Sequence, residues 1–548
     1  MTRLTQLVTF LAAASTGAAS FVQRQVPANA TGVKTITSPQ GAQIRYKQPG
    51  KQGVCETTEG VDDYAGYISL NEKTNMFFWF FEARENPQEK PLTLWLNGGP
   101  GSDSLIGLFQ EHGPCNVTED LKTQLNPYSW NEHSNMLYLS QPVGVGFSYE
   151  TTEVDEKGRY SLVDPDKANT TEAAAIGAWH ILQAFLELSP QLDADIKNLT
   201  FNLWTESYGG HYGPGFYNYF YQQNEAIRNG TTKGVELHMD TLGVINGIID
   251  EQIQAPYYPE FAVNNTYGIK AYNDTVYTFA KQAFSFPGGC NDQIEYCKQS
   301  NRSTEDGQLT CSTAMTLCRS LVEEPYYNFG DRGVYDIRHP YDDPTPPEYF
   351  MDFLNLASTQ AALGVNINYT AASSPYVYSG FASTGDFVYS YLPALSEILS
   401  YGVRVALLYG DADYICNWFG GEAISLAVNH THKAEFNAAG YTPFIVDGVE
   451  YGEVREFGNF SFTRIYEAGH EVPYYQPKAS LEHFKRVLDH VVIADGSEVV
   501  SADYSTNGTA KATHTESYVA LPPTSTPSAA PSEYVSAGER RVKRVWRK

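Results

Sequence analysis

Residues 200–212 read TFNLWTESYGGHY, an apolar run followed by a serine in a glycine-rich turn. A serine hydroxyl becomes a useful nucleophile where a strand turns sharply into a helix, because a base can reach it and the next backbone N–H can face a developing oxyanion. The usual pattern, Gly-x-Ser-x-Gly, is kept except at its first position, Thr205. The stretch predicts a nucleophile elbow at Ser207, with an ordinary Ser-x-Gly turn as the alternative.

Several other short apolar runs end in Gly, Asn or Asp and resemble buried parallel strands. These runs are residues 92–96, 136–139, 244–249, 403–409 and 462–466, in addition to 200–204. Helix-like stretches lie between them, at 171–188 and 478–493. This alternation predicts an α/β sheet.

A second glycine-rich loop, Trp95 to Gly101, follows one of these runs. Glycine has no Cβ, so the backbone can approach a ligand closely, and its N–H groups could complete an oxyanion hole. A plain turn or a phosphate loop are the alternatives, and the missing Lys-Ser/Thr ending argues against the phosphate loop.

Composition excludes two classes of protein. Of the 548 residues, 42% are hydrophobic, which rules out a wholly disordered chain. The 37 Lys and Arg against 63 Asp and Glu give a formal charge of -26, which repels a phosphate backbone. We therefore expect no nucleic-acid partner.

The ends of the chain predict export. Residues 1–19 have the pattern of a signal peptide, with a buried first helix as the alternative, and residues 20–50 are interpreted as an N-terminal arm or short propeptide. Twelve Asn-x-Ser/Thr triplets indicate N-glycans on a secreted, extracellular protein. Residues 501–548 are rich in Ser, Thr and Pro before a basic end, and we expect a disordered tail without a membrane anchor.

Seven cysteines in an exported chain should mostly pair. The mirror spacing of Cys290, Cys297, Cys311 and Cys318 suggests nested bridges, 290 with 318 and 297 with 311. Zinc is the alternative there, but close Cys-x-x-Cys pairs are absent. Cys55 and Cys115 then pair by elimination, which leaves Cys416 free. No set of residues with metal-ligand spacing stands out, so neither a metal nor another cofactor is expected.

A set of ordered motifs between about residues 50 and 495 strongly resembles the serine carboxypeptidase family. The motifs are Trp95 to Gly101, Gln141 to Tyr149, Glu206 to Tyr212, Asn246-Gly247, Gly410 to Trp418 and Gly469 to Pro473. The resemblance implies an α/β-hydrolase fold with an inserted, disulfide-bearing lid subdomain. It also implies acidic-pH removal of C-terminal residues from peptides. We place the core at 51–224 and 367–500 and the lid at 225–366.

Roles for individual residues follow from the resemblance. Ser207 matches the nucleophile, His470 the general base and Asp413 the residue that orients the base; Asp411 is the competing aspartate. The order Ser, Asp, His fits an α/β-hydrolase. The oxyanion hole would use the N–H groups of Gly99 and Tyr208.

The resemblance also assigns Asn97, Glu111 and Glu206 to the carboxylate of the substrate's C-terminus. Two glutamates can bind an anion only if they keep a proton to donate. The alternative for Glu111 is a solvated charge on a helix surface, with no role in substrate binding. Cys416 would be a free thiol near the triad, open to mercurials but not a nucleophile in turnover.

Two departures point to the secreted fungal branch. Ser102 stands where many members have a bridged cysteine, so that Cys55–Cys115 substitutes for the missing bridge, and Ser140 stands where Asp is common. The activity expected is a serine carboxypeptidase that works through an acyl-enzyme. The alternatives are an acyltransferase or esterase on the same scaffold, or a non-catalytic binding protein.

Overall fold

The computed structural model describes residues 30–38, 41–69, 73–150, 168–192 and 196–521. The expected signal peptide at 1–19 and the basic end of the chain lie outside them. The strands are β1 Lys34–Thr37, β2 Gln43–Lys47, β3 Asp63–Ser69, β4 Asn75–Phe81, β5 Leu92–Leu96, β6 Cys115–Val117, β7 Thr123–Leu125, β8 Asn135–Leu139, β9 Thr200–Glu206, β10 His238–Ile245, β11 Arg404–Gly410, β12 Thr442–Val446, β13 Val449–Phe457 and β14 Phe460–Ile465.

The α-helices connect these strands and extend the chain beyond them. They are α1 Thr171–Leu188, α2 Gly209–Arg228, α3 Glu251–Gln254, α4 Tyr257–Val263, α5 Asp274–Ser285, α6 Cys290–Gln299, α7 Glu305–Cys318, α8 Pro325–Phe329, α9 Tyr349–Leu354, α10 Ala357–Leu363, α11 Pro375–Thr384, α12 Leu392–Ser400, α13 Trp418–Ala427, α14 Lys433–Ala438, α15 Val472–Tyr475 and α16 Pro477–Leu488.

In the described residues, strands form one large sheet of order β1-β2-β3-β4-β8-β5-β9-β10-β11-β14-β13-β12. The six strands from β8 to β14 are parallel, and both flanks are antiparallel. Neighbouring residues of β4 enter opposite cores: Phe78 packs in one buried cluster and Trp79 in the other. A sheet covered on both faces explains why its strands read as unbroken apolar runs. The predicted α/β-hydrolase class is confirmed.

All six predicted strands occur in this sheet, and five have bounds within two residues of the prediction. The sixth differs more. The run 244–249 leaves the sheet after Ile245, because Asn246 takes a φ of 43° and starts a turn. The helix over 171–188 has the predicted bounds, capped by Thr170, whose hydroxyl accepts from the N–H of Ala173 at 3.2 Å. The last helix spans Pro477–Leu488, shorter than expected.

The lid boundary at residue 225 is wrong. Strand β10 falls within the expected range 225–366, yet it pairs with β9 and β11 in the centre of the sheet. The chain leaves the sheet only after Ile245 and returns at Arg404. Nested disulfides Cys290–Cys318 and Cys297–Cys311 cross-link α6 to the end of α7 within this excursion. A third disulfide, Cys55–Cys115, lies in the core, as expected.

The expected disordered tail is wrong for residues 501–521. Short β-bridges join Ser505 to Phe457 and Thr509 to Tyr441. The guanidinium of Arg464 donates to the carbonyl of His514 at 2.9 Å, and Arg332 donates to the carbonyl of Val519 at 2.7 Å. This segment follows the sheet edge because its backbone acceptors are used by buried cations, which its Ser/Thr-rich composition does not reveal.

The opposite end of the chain also joins the sheet. Strands β1 and β2 belong to the expected N-terminal arm of residues 20–50 and extend the antiparallel flank through β3. Among the described residues, every helix is too short or too polar to cross a membrane.

Candidate active site

Ser207 lies at a sharp turn between β9 and α2. Its φ is 64°, a left-handed conformation that is unusual for a residue with a side chain. Two hydrogen bonds hold this conformation: the N–H of Ser207 donates to Ile245 O at 3.0 Å, and the N–H of Ile248 donates to Ser207 O at 2.9 Å. The predicted strand–turn–helix geometry is present.

Thr205 fits the elbow despite its β-branched side chain. Its hydroxyl donates to the carbonyl of Gly209 at 2.8 Å. A Cβ on Gly209 would lie 2.6 Å from the Thr205 Cβ, which no real pair of atoms tolerates. The second glycine of the motif is therefore required by the threonine at its first position.

His470 and Asp413 form a buried pair beside Ser207. The Nδ1 atom of His470 lies 2.7 Å from Oδ2 of Asp413, and Asp413 is fully buried. Burial raises the pKa of Asp413, an effect that the neighbouring histidine opposes. Ser207 and His470 line one cavity of about 510 Å³. The structure thus brings together the three residues expected to form a triad.

Asp411 has other partners than the histidine. One oxygen accepts from the hydroxyl of Tyr267 at 2.6 Å, and the other lies 3.7 Å from the guanidinium of Arg464. These contacts give the Asp411 carboxylate a structural role in the core. Of the two aspartates, only Asp413 is bonded to His470.

Asn246 joins the loops that carry the triad. Its amide nitrogen donates to the carbonyls of Gly469 and His470, at 3.1 and 2.6 Å, and its oxygen accepts from the N–H of Gly410 at 2.8 Å. The side chain therefore fixes the histidine loop relative to the end of β11. The Asn246-Gly247 motif gave no hint of this positioning role.

The glycine-rich loop packs directly on the elbow. A Cβ on Gly98 would lie 2.3 Å from the backbone nitrogen of Tyr208 and 2.6 Å from the carbonyl oxygen of Glu206. Gly99 has a φ of 104°, which disfavours any residue with a side chain. The backbone of Gly98, the residue before Gly99, is thus packed against the backbone nitrogen of Tyr208. The oxyanion hole of Gly99 and Tyr208 stays a prediction.

Asn97, Glu111 and Glu206 meet in one buried cluster. The amide nitrogen of Asn97 donates to Glu206 Oε1 at 3.1 Å and to Glu111 Oε1 at 3.3 Å. The Asn97 oxygen accepts from Trp95 Nε1 at 2.8 Å and from the N–H of Gly107 at 2.9 Å, which fixes the orientation of its amide. The second oxygens of both glutamates have no hydrogen-bond partner among the described residues.

The acid pair keeps a proton at moderate pH. Burial raises the pKa of Glu111 to about 7. Burial and the nearby carboxyls of Glu111 and Glu471 raise the pKa of Glu206 well above its ordinary range. Two close carboxyls in an apolar site cannot both ionise at low cost, so one donates a hydrogen bond.

Glu471 is a site residue that the sequence analysis missed. It lines the same cavity, and its Oε2 is buried without a partner among the described residues. Burial and the carboxyls of Glu111 and Glu348 raise its pKa well above the ordinary range. Its position directly after His470 was the available signal.

Cys416 is buried and unpaired, as predicted. Burial and the nearby Asp413 carboxyl raise the pKa of its thiol well above the ordinary value, an effect that the Ser207 hydroxyl opposes. One ligand-type atom each of Asp413, Cys416 and His470 lies within 4.8 Å of the others, a spacing that suits a soft metal ion. Two of these atoms, however, already bond to each other at 2.7 Å.

His211 is a buried neighbour of the elbow. Its ring stacks on Tyr208, with centroids 4.4 Å apart, and its Nδ1 lies 2.6 Å from the carbonyl of Ile248. Burial lowers its pKa, so the ring stays neutral.

The parallel sheet, the elbow and the acid–histidine pair define the class of protein, an α/β-hydrolase with a serine at its nucleophile position. Within that class, the chain belongs to the serine carboxypeptidase family, whose profile matches residues 49–490. Carboxypeptidase S1 homolog A from Arthroderma otae is 42% identical, over 91% of this chain and 84% of that protein. Carboxypeptidase S1 from Penicillium janthinellum is 42% identical, over 80% and 97%.

A solved structure supports the fold. Kex1(delta)p, a prohormone-processing carboxypeptidase from Saccharomyces cerevisiae, superposes with a TM-score of 0.65 at 21% identity, covering 86% of this chain and all of that one. The chain is a serine-type carboxypeptidase by its family and its relatives.

Hydrogen bonds occupy the two positions where the sequence departs from the family pattern. Ser102 Oγ lies 2.7 Å from Ser373 Oγ, so two hydroxyls meet in place of a disulfide at the cavity. The hydroxyl of Ser140 donates to Asp103 Oδ1 at 2.8 Å.

Proposed function

We propose that this serine carboxypeptidase is a secreted glycoprotein that removes C-terminal residues from peptides and proteins at acidic pH through Ser207, His470 and Asp413. The observation that carries the proposal is the buried acid pair bound to Asn97, because Asn97 and Glu206 line the same cavity as Ser207 and Glu111 lies behind them. An esterase or acyltransferase acting on a neutral substrate would have no use for such a pair. Export is supported by the signal-like residues 1–19 and by the twelve glycosylation triplets.

Catalysis would proceed in two halves. Ser207 Oγ attacks the scissile carbonyl while the neutral imidazole of His470 takes its proton, and Asp413 holds the ring and stabilises the imidazolium. The N–H groups of Gly99 and Tyr208 stabilise the oxyanion. As the peptide C–N bond breaks, His470 returns the proton to the departing amino acid, and water then hydrolyses the acyl-enzyme by the same route.

The acid pair accounts for the choice of bond. A protonated carboxyl of Glu206 or Glu111 and the amide of Asn97 would donate to the substrate's terminal carboxylate. Only a peptide with a free C-terminus then places its last peptide bond at Ser207. The proton on the pair ties this binding to acidic conditions, because a fully ionised pair repels the anion.

The direct test is release of free amino acids from N-blocked dipeptides between about pH 4 and 8. We expect release by the wild-type chain, and loss of activity on treatment with a serine-reactive fluorophosphonate or on Ser207→Ala. Mass spectrometry should place the phosphonyl group on Ser207. Labelling of another serine with loss of activity would contradict the assignment.

A further inference from the structure

Glu251 is a carboxylic acid in the wall of the catalytic cavity that has neither a hydrogen-bond donor nor an ion-pair partner among the described residues. It begins the short helix α3, is only 8% exposed, and lines the same cavity as Ser207. No residue in the described part of the chain donates a hydrogen bond to its carboxyl. A buried acid with an open side toward a cavity is suited to a ligand that brings its own positive charge.

The neighbouring acid, Glu323, is already satisfied. Its Oε1 accepts from Arg319 Nη2 at 2.9 Å and from the hydroxyl of Tyr327 at 2.8 Å. Arg319 also donates to the hydroxyl of Tyr378 at 3.0 Å. Two carboxyls therefore face one guanidinium in this part of the cavity, and Glu251 is the carboxyl without a direct partner.

Glu251 lies apart from the C-terminal receptor and close along the chain to the elbow that holds the catalytic serine. The N–H of Ile248 donates to Ser207 O, and α3 begins three residues later. The charges that act on Glu251 are those of Glu323, Arg319 and Asp250. The C-terminal receptor, in contrast, is coupled to Glu471 and Glu111, so the two acidic regions of the cavity are separate.

The catalytic cavity also has apolar walls that suit a long aliphatic stem. Ile248, Tyr258, Met315 and Val388 line this cavity. Lysine and arginine bury their methylene chains on apolar surface while the charged group reaches a polar partner. Such a side chain would fill the apolar space and give Glu251 the direct cationic partner that it lacks.

We propose that Glu251 is the anionic determinant of a subsite for the side chain of lysine or arginine at the residue preceding the scissile bond. This inference rests on the proposed function, because it requires the terminal carboxylate at Asn97 and the scissile carbonyl at Ser207. The substrates favoured would be peptides with a basic penultimate residue.

The subsite has an expected pH dependence. Burial, Glu323 and Asp250 raise the pKa of Glu251 to about 8, and Arg319 opposes the shift. Tyr258, whose pKa is raised well above 10, stays neutral. The empty site is thus protonated at acidic pH and ionises as the pH rises. A bound cation favours ionisation, so the advantage of a basic residue should grow between about pH 5 and 7.5.

The test compares two N-blocked dipeptides that share one C-terminal residue and differ in having lysine or norleucine before it. The measured quantity is the ratio of their kcat/KM values. The contribution of the C-terminal receptor is the same for both peptides and cancels in this ratio. We expect Glu251→Gln to lower this ratio roughly tenfold, mainly at the higher pH. Glu305→Gln, an equal charge change at an exposed position of α7, is the matched control and should leave the ratio unchanged.

Glu251→Asp keeps the charge with a shorter reach and should give an intermediate ratio, which separates a charge effect from misfolding. An unchanged ratio in Glu251→Gln, with norleucine cleavage intact, would overturn the subsite alone. Equal loss on both peptides in Glu251→Gln and Glu251→Asp would show a structural role and would also overturn it. A wild-type chain that cleaves neither peptide would overturn the proposed function and this subsite with it.

Discussion

At the scale of single residues, two aspartates two positions apart have opposite environments. Asp413 bonds to His470 Nδ1, and Asp411 bonds to Tyr267 and faces Arg464. We expect Asp413→Asn to lower kcat on the order of a thousandfold or more, because the imidazole loses the partner that fixes its tautomer. The measurement is kcat on a blocked dipeptide, with circular dichroism as the check on folding.

Asp411→Asn is the matched control for that change. It should affect thermal stability more than kcat in the folded protein, since its carboxyl serves core packing. If Asp411→Asn abolishes turnover in a folded protein while Asp413→Asn does not, the assignment of the orienting residue is wrong.

The acid pair predicts different pH profiles for peptides and their C-terminal amides. Glu111, with a pKa of about 7, and Glu206, whose pKa burial and neighbouring carboxyls raise well above its ordinary range, share a proton at acidic pH and lose it as pH rises. Peptide kcat/KM should therefore fall through neutral pH, while a C-terminal amide escapes this constraint. Glu206→Gln should shift the peptide profile toward neutral pH, because an amide donates at any pH.

The measurement is kcat/KM against pH for a peptide and its amide, on wild type and Glu206→Gln. Superimposable profiles in all four combinations would mean that the pair does not bind the carboxylate. The histidine base affects both substrates alike, so only the difference between them reports on the pair.

The sequence motifs predicted which residues form this site, but they predicted less well the environment in which each residue lies. Asn97, Glu206 and His470 each lie in a recognisable turn, so their positions could be predicted. The coupling of Glu471 to Glu206 could not, because it arises where the end of β9 meets the loop after β14. Likewise, nothing in the sequence shows that Arg319 donates a hydrogen bond to Glu323 and not to Glu251.

At the scale of elements, strands buried on both faces were predictable and their assignment to subdomains was not. Strand β10 is apolar only over its second half, since His238, Met239 and Asp240 are exposed or half-buried. Its start therefore reads as part of the polar insertion. Pairing with β9 and β11 places it in the sheet, a long-range effect that local pattern does not contain.

The Ser102–Ser373 contact is suited to an engineered disulfide. The N–H of Asp103 donates to Ala372 O and that of Ser374 to Gly101 O, both at 2.8 Å. Ser102 and Ser373 are therefore a non-hydrogen-bonded antiparallel pair, with Cα atoms expected about 4.5 Å apart, within disulfide range.

We expect Ser102→Cys combined with Ser373→Cys to oxidise spontaneously and to raise the free energy of unfolding, by up to about 5 kcal/mol for so long a loop. The measurement is thermal unfolding with and without reductant, together with mass mapping of the bridge. Each single substitution is a control and should give no reductant-sensitive gain. A double variant that stays reduced in air would show that the two positions do not have this geometry.

At the scale of the whole molecule, the C-terminal segment connects the sheet to the excursion that covers the site. Residues 505–514 run along β13 and β14, and Val519 bonds to Arg332, which lies after α8. Composition predicted a disordered tail because Ser, Thr and Pro rarely form a core. The order of this segment comes instead from buried arginines whose donors need acceptors.

Buried acids also set the stability of the whole protein against pH. Burial raises the pKa of several carboxyls well above their unfolded values near 4. They are Asp63 and Glu82, each to about 7, Asp103 and Asp411, each to about 6, Glu111 to about 7 and Glu251 to about 8. Between about pH 4.5 and 7 the folded state therefore holds more protons than the unfolded state.

Stability must then fall as pH rises through this window, because unfolding releases these protons. Carboxyls with lowered pKa values, such as Asp489, act below this window. Buried histidines with lowered pKa values oppose the trend below about pH 6.5, where the unfolded imidazole is charged, but they are fewer than the raised acids and have no effect above that pH; they are His112, His211, His430 and His483. The formal charge of -26 at neutral pH adds repulsion in the same direction. We expect Tm to decrease steadily from about pH 5 to 8 at constant ionic strength.

Glu82→Gln isolates the contribution of one carboxyl to the decrease of Tm with rising pH. In the wild type, Glu82 accepts a hydrogen bond from the N–H of Asp62 at 3.2 Å. A glutamine oxygen can still accept this bond, but a glutamine releases no proton on unfolding. This variant should lose part of the decline and exceed the wild-type Tm near pH 8, while differing little near pH 5. A wild-type Tm that is flat or rises from pH 5 to 8 would mean that these carboxyls are ionised in the folded protein.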